Sequence, residues 1–149
     1  MLLVKDLLRK KNQTEVYSVQ VRATVFEALK IMSDNKVGAL MVMDKDGKVA
    51  GIMTERDYAR KIILLGRASK NTKVEEIMTP AKDMIHVTPE TNTDDCMVLI
   101  TGKRIRHLPV FEGENLVGFI SIGDLVRAKI DEQGQLIEQL SNYIAGGYT

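Results

Sequence analysis

Apolar positions recur in the same order in the two halves of the chain. Each half begins with a short apolar strand, at residues 16–19 and 84–87. In the first half the strand is followed by Val25, Ala28 and Met32, a spacing that predicts an amphipathic helix with one buried face. Two apolar strands then flank a turn that contains Gly with Asp or Asn, which indicates a hairpin. Each half therefore predicts the order strand, helix, strand, strand, helix.

The two halves align along almost their whole length. Val19 aligns with Val87, and after a one-residue gap Arg60 aligns with Arg127. Few residues are identical, but the apolar class agrees at nearly every position. Such internal repetition means that both halves solve the same packing problem, so we expect an α/β (α+β) fold made of two tandem βαββα repeats.

The segment that leads into each repeat is also repeated. "VEEIM" (74–78) echoes "VKDLL" (4–8). We therefore expect repeat 1 with its lead-in at 1–68, and repeat 2, which ends in an extended helix, at 69–149.

The joint between the last strand and the last helix of each repeat carries a hydroxyl and a carboxylate three residues apart. These are "TERD" (54–57) and "SIGD" (121–124). Either forms a capping box, in which the hydroxyl and the acid bond reciprocally to backbone N–H groups. The same geometry suits a ligand, because a helix N-terminus attracts anionic groups and a carboxylate can accept both hydrogen bonds of a ribose cis-diol. The residues alone leave both interpretations open.

Composition limits the class of protein and its compartment. The chain has 149 residues, a net charge of +1 and one cysteine, Cys96, which cannot form an internal disulfide. Balanced charge argues against nucleic acid or anionic membrane as a partner, and no apolar run has the length of a membrane span. The N-terminus lacks the features of a signal peptide, so we expect a cytoplasmic protein, or an organelle-matrix protein if a transit peptide has been removed. The basic run at 9–11 is predicted to be a solvated surface.

Three features imitate reactive or metal sites. "DKDGKVAGIMTE" (44–55) resembles a calcium loop but has Lys48 and Val49 where the loop needs an oxygen ligand and a Gly, which favours a hairpin turn. His86 and His107 lack partners at metal-ligand spacing. Cys96 is expected to be a small buried residue. No activated nucleophile or acid–base pair is apparent, so we expect no catalysis.

The joints and the segments around them resemble the CBS (cystathionine-β-synthase) domain. The pattern is an apolar strand, Gly, an apolar pair, Thr or Ser, two residues and Asp. The order "IMT", "VTPETNT", "RIRHLPV", "LVGFISIGDL" matches the second copy of that domain. The resemblance covers essentially the whole chain. It is greatest to stand-alone two-repeat CBS proteins of bacteria and plant organelles, which share a "YIAGGY"-like end (143–148).

The resemblance implies a fold, a ligand class and a set of binding residues. It implies two repeats packed with pseudo-twofold symmetry, and adenosine ligands such as AMP, ADP, ATP, NAD(H) or S-adenosylmethionine. The matching positions are Asp57 and Asp124 for ribose; Thr54, Ser121, Arg106, His107 and Arg56 for phosphate or ribose; and Val16, Tyr17, Met84 and Ile85 beside the adenine. The first repeat has Gly38 and Ala39 where the second has Arg106 and His107, so we expect unequal pockets.

These observations predict a non-catalytic regulatory module that binds an adenine nucleotide between its repeats. AMP is the expected ligand and no cofactor is obligate. We expect a homodimer that signals energy or redox state to an unidentified protein, with no nucleic-acid or membrane partner. The alternative is a dimeric scaffold protein whose Thr/Ser-x-x-Asp joints only cap helices and whose last helix binds a partner.

Overall fold

The computed structural model describes residues 1–11 and 16–146. The elements, in chain order, are α1 (Val4–Lys11), β1 (Ser18–Gln20), α2 (Val25–Asn35), β2 (Ala39–Met43), β3 (Val49–Thr54), α3 (Glu55–Tyr58), β4 (Thr79–Pro80), α4 (Thr93–Lys103), β5 (His107–Glu112), β6 (Asn115–Ser121) and α5 (Ile122–Gly146). A π-helical turn, Ala59–Ile63, continues α3. Among these residues no helix is both long and apolar enough to cross a bilayer.

The described chain divides into two compact units. One contains residues 16–85 and the other contains residues 1–11 together with 86–146. The first unit has a four-stranded sheet in the order β1-β2-β3-β4, and the second has the two-stranded sheet β5-β6. The last two residues of the "YIAGGY" motif, 147 and 148, lie outside the described residues.

The two units repeat the same local geometry. Val19 pairs in parallel with Val42, and Val87 pairs in parallel with Val110. Both hairpins shift register at the matching place, after Val42 and after Val110. The predicted order of elements is confirmed, except that the strand predicted at 84–87 is reduced to the single pairing of Val87.

The matching helices α2 and α4 begin and end in the same way. The Thr24 hydroxyl caps α2 and the Asn92 side chain caps α4, each by accepting from the backbone N–H three residues later. The residues that end the two helices, Lys36 and Arg104, both have a φ of 55°. This left-handed turn reverses the chain toward the next strand.

The lead-in segments dock in a way that the sequence order does not suggest. The Val74 N–H donates to the Ala23 carbonyl at 2.8 Å, within the first repeat. The Val4 N–H donates to the Thr91 carbonyl at the same distance, within the second repeat. The lead-in at 74–78 therefore packs within the first repeat and the lead-in at 4–8 packs within the second. The compact units consequently differ from the expected segments 1–68 and 69–149.

Each unit has its own buried core. In the unit of residues 16–85 the helix α2 covers the sheet, and the core contains Val19, Val25, Ala28, Met32, Leu40, Val42, Met53, Ile62, Val74 and Ile77. In the other unit the buried apolar residues include Val4, Leu7, Val87, Cys96, Ile100, Leu108, Val110, Ile120 and Leu125. The two lead-in valines, Val4 and Val74, are both fully buried, which is why each lead-in is fixed to its unit.

Candidate functional site

The joint between β6 and α5 is a complete capping box. The Ser121 N–H donates to Asp124 Oδ2 at 2.9 Å, and the Asp124 N–H donates to Ser121 Oγ at 3.2 Å. The strand ends at Ser121 and the helix begins at the next residue. The capping interpretation of "SIGD" is therefore correct, and the carboxylate is fixed at the positive end of a long helix.

Two cations hold the Asp124 carboxylate. Lys11 Nζ lies 2.9 Å from Oδ2, and an Arg127 guanidinium nitrogen lies 2.7 Å from Oδ1. The Asp124 side chain is only 9% exposed. Burial raises the pKa of Asp124, but hydrogen bonds from the Ser121 N–H and the Lys11 ammonium outweigh it and leave the pKa below its ordinary value of 3.8. Asp124 is thus an ionised carboxylate at neutral pH whose side chain is largely shielded from solvent.

The two basic residues predicted for phosphate lie beside this joint. His107 is the direct cross-strand partner of Ser121, and the Arg106 carbonyl accepts the Ile122 N–H at 2.9 Å. The His107 ring stacks on Phe119 with centroids 5.5 Å apart. Burial, reinforced by the Arg106 charge, lowers the pKa of His107 below 6.5. His107 is therefore a neutral hydrogen-bonding group at pH 7, and Arg106, which is exposed, carries the charge.

The joint between β3 and α3 has the same local bonds. The Thr54 N–H donates to Asp57 Oδ2 at 3.0 Å, and the Asp57 N–H donates to Thr54 Oγ1 at 3.2 Å. Asp57 is buried and forms an ion pair with Lys61 at 3.2 Å, one helical turn away. Ala39 is the cross-strand partner of Thr54, so no basic side chain takes the place of His107. Arg56 lies half-buried on α3.

The residues predicted beside the adenine fall in one compact unit. Val16 and Tyr17 are half-buried just before β1, and the Tyr17 carbonyl accepts the Met41 N–H at 3.1 Å. Met84 and Ile85 are also half-buried and belong to the unit of residues 16–85. Their roles beside an adenine stay predictions.

The ammonium groups that reach the two acids were not predicted from the sequence. Lys61 could have been found, because Asp57 and Lys61 have the i, i+4 spacing of a helical ion pair. Lys11 could not, since it lies 113 residues from Asp124. The prediction that residues 9–11 form a solvated surface is wrong for Lys11, whose side chain is 27% exposed and also donates to the Phe119 carbonyl.

The three features that imitated reactive sites have structural roles. Asp44 Oδ1 accepts the N–H groups of Asp46 and Lys48, so this carboxylate holds the predicted hairpin turn. His86 packs edge-on against Phe111. Cys96 is buried, as predicted, and burial raises the pKa of its thiol to about 11.

Comparison with known proteins identifies the repeat. The family model for the CBS domain matches residues 4–64 and again residues 74–131. The chain belongs to the CBS domain family. The expected resemblance is confirmed, and so is the fold of two tandem α+β CBS repeats. CBS domain pairs are typically regulatory modules that bind adenosine ligands.

Individual relatives agree with this assignment. The chain is 50% identical over 128 residues to the mitochondrial CBS domain-containing protein CBSX3 of Arabidopsis thaliana, a match that covers 84% of this chain and 62% of that protein. A solved protein with CBS domains from Burkholderia ambifaria is 46% identical, with a TM-score of 0.83 over 89% of this chain and 96% of that one. A CBS domain pair solved with 5′-methylthioadenosine and S-adenosyl-L-methionine is 24% identical, covers 89% of this chain and 98% of its own, and has a TM-score of 0.75.

Proposed function

We propose that this protein is a non-catalytic regulatory module that binds an adenosine-containing ligand, with Asp124 accepting hydrogen bonds from the ribose. The observation that carries the proposal is the joint between β6 and α5. An ionised carboxylate, a hydroxyl, an exposed guanidinium and an imidazole lie together there at a helix N-terminus. Such a set can bind a diol and a phosphate at once.

The hydrogen-bonding capacity of Asp124 leaves room for a ribose. A carboxylate offers about four lone-pair positions. Among the described residues three donors lie 2.7–2.9 Å from its oxygens, the Ser121 N–H, Lys11 and Arg127. A ribose diol would use the remaining position and share or displace a cation, and a displaced Lys11 ammonium could turn to a phosphate.

Phosphate recognition would fall to Arg106 and His107, assisted by Ser121. The exposed Arg106 guanidinium can contact two phosphate oxygens at once, and the neutral His107 can donate one hydrogen bond. The joint at Asp57 has Gly38 and Ala39 in the matching places, so Thr54 and Arg56 would be its polar contacts. We propose that the second repeat binds a nucleotide more tightly than the first.

The adenine ring would lie against the half-buried apolar residues at the start of each repeat, Val16 with Tyr17 and Met84 with Ile85. AMP is the proposed ligand because it carries both groups that the joint can recognise, the ribose diol and a phosphate. The 5′-methylthioadenosine bound by the 24% identical CBS pair has the diol without a phosphate. Comparing AMP with a phosphate-free adenosine compound therefore distinguishes the phosphate contacts of the proposed site from its ribose contacts.

Signalling requires that the ligand distinguish two conformations. A ligand that binds both equally would shift nothing, so the proposal includes a difference in affinity between arrangements that a partner protein can sense. We propose that the protein works as a homodimer in the cytoplasm or in an organelle matrix.

Calorimetry with AMP, adenosine, ATP, NADH and S-adenosylmethionine tests the site. Asp124→Asn should weaken every ligand by roughly tenfold or more, and Arg106→Gln should weaken AMP by about tenfold while leaving adenosine unchanged. Glu27→Gln is the matched control, since Glu27 serves the capping box of α2 with Thr24. The proposal fails if no compound binds, or if Asp124→Asn and Glu27→Gln bind equally well.

The scaffold alternative has one observation in its favour. The Asp124 carboxylate already receives three protein donors, which is what a purely structural cap would need. It expects no change in melting temperature with any of the five compounds. A rise in melting temperature with AMP that Asp124→Asn abolishes would exclude it.

A further inference from the structure

The last part of α5 is a helix without cover. Residues 131–145 are all exposed, and at 1.5 Å per residue they extend about 22 Å. Helices in proteins owe most of their stability to packing of an apolar face. Here the face is present and is exposed to solvent.

The exposed apolar residues of α5 follow a heptad. Its core positions are occupied by Val126, Ile130, Gln133, Ile137, Leu140 and Ile144, spaced alternately by four and three residues. This 3.5-residue period keeps one seam facing a partner helix and is typical of a coiled coil. We call these six residues the α5 seam.

We propose that the α5 seam binds the α5 seam of a second copy of this chain, with the two helices antiparallel. The seam is self-complementary in this direction. When the overlap of the two helices is centred at the level of residue 135, Val126 faces the partner's Ile144 and Ile130 faces the partner's Leu140. Gln133 then faces the partner's Ile137. All six positions are then paired in a single register.

Residues that flank the seam agree with this register. Near the centre, Leu136 meets the partner's Leu136 and Gly134 meets the partner's Gly134. Gly134 has open space around it within the chain, and the lack of a Cβ allows the two backbones to approach. Lys129 lies beside the last turn of the partner's α5, where the helix dipole favours a cation.

The apolar area is sufficient for a stable pair. Seven side chains along this face are between 42% and 77% exposed: Val126, Ile130, Leu136, Ile137, Leu140, Tyr143 and Ile144. At on the order of 100 Å² each they offer roughly 700 Å², close to the ~800 Å² that each partner of a standard interface buries. In the antiparallel arrangement the rest of each copy lies at the opposite end of the helix pair from that of its partner. In a parallel arrangement both copies would lie at the same end.

Sedimentation equilibrium of the whole chain tests the pairing. The wild type should be a dimer of the 16.7 kDa chain, and Ile137→Asp with Leu140→Asp should be a monomer. The matched control, Gln135→Asp with Asn142→Asp, adds two charges to the outer face of α5 and should remain a dimer. Circular dichroism and thermal melting of each variant verify the fold. A monomeric wild type overturns the proposal, as does a dimer that survives the change at 137 and 140.

Disulfide trapping tests the direction. A mixture of Val126→Cys and Ile144→Cys chains should form a mixed disulfide, because the antiparallel register pairs these positions. Ile144→Cys alone should not cross-link. The buried native thiol of Cys96 does not compete. Cross-linking of Ile144→Cys with itself would indicate a parallel pair and overturn the antiparallel register, and so would the absence of a mixed disulfide.

Discussion

The two strand-to-helix joints share their local hydrogen bonds but differ in the residue across the hairpin and in the origin of the ammonium that reaches the acid. Each has a hydroxyl and an acid that exchange bonds with the backbone, at 2.9–3.2 Å. Asp57 receives an ammonium from its own helix, one turn away. Asp124 receives one from Lys11 at the end of α1, 113 residues earlier. A local motif therefore fixes the position of each acid, and distant packing fixes its charge environment.

The different fates of the two lead-ins explain this contrast. Both start with the same bonds: the Leu3 N–H donates to Asp6 and the Lys73 N–H donates to Glu76. The first then continues as α1 to Lys11, whereas the second stops and forms β4 at Pro80. Proline has no N–H and cannot continue a helix at this point. Only the first lead-in therefore extends far enough to bring a lysine to an acid.

Alanine substitution of the matching glycines of β3 and β6 should give the largest difference in stability between the two repeats. A Cβ on Gly51 would fall on the backbone oxygen of Thr79 in β4, whereas a Cβ on Gly118 would lie 2.7 Å from the flexible end of Leu8. We expect Gly51→Ala to lower the free energy of unfolding by about 2–3 kcal/mol and Gly118→Ala by less than about 1 kcal/mol. Urea unfolding measures both. Equal losses of unfolding free energy in the two variants would mean that the β4 backbone shifts as easily as the Leu8 side chain does.

The next largest difference in stability should be between variants of Lys11 and Lys61. Lys11→Met removes an ammonium whose side chain is 27% exposed and should cost about 1–2 kcal/mol. Lys61→Met removes one that is 41% exposed, which water can more easily replace at the Asp57 carboxylate, and should cost about 0.5–1 kcal/mol. Lys10→Met, at an exposed position of the same helix as Lys11, is the control and should be neutral. A larger loss of stability in Lys61→Met than in Lys11→Met would contradict the expectation that Lys11 contributes more to stability than Lys61.

Acid should weaken the joint at Asp124. Its native pKa lies below 3.8, so its contribution to stability is complete above that pH and is lost as the pH falls through the native pKa. Asp124→Asn should therefore unfold with a shallower dependence on pH in this range, and Lys11→Met should reduce the dependence partly. Denaturant midpoints from pH 5 to pH 2 measure this, and parallel curves for wild type and Asp124→Asn would contradict it.

His107 should give the smallest effect on stability, at a pH below 6.5. Its native pKa lies below 6.5, so the unfolded chain binds a proton first, and stability falls as the pH drops from 6.5 through the native pKa. His107→Gln should remove this slope, and His86→Gln, at an exposed position, should keep it. Bound AMP should raise the pKa of His107, because a phosphate favours the imidazolium. An unchanged His107 resonance on titration with AMP would place the phosphate elsewhere.

Much of the fold could be read from the sequence because its signals are local. Thr24 and Glu27 cap α2, and Thr54 and Asp57 cap α3, through bonds that span three residues. The hairpins follow from alternating apolar runs and turn residues. The strand predicted at 84–87 is not formed as a whole, because within it only Val87 pairs with another strand. Whether a short apolar segment pairs with a strand depends on its position in the tertiary structure.

The sequence by itself determined the repetition, the order of elements, the capped joints and the inequality of Arg106 and His107 against Gly38 and Ala39. Only the tertiary structure decided which repeat each lead-in completes and which ammonium reaches Asp124. The physical reason is the range of the interactions. A cap forms between residues that are already neighbours along the chain, whereas the ion pair of Lys11 with Asp124 depends on where α1 buries Val4 and Leu7.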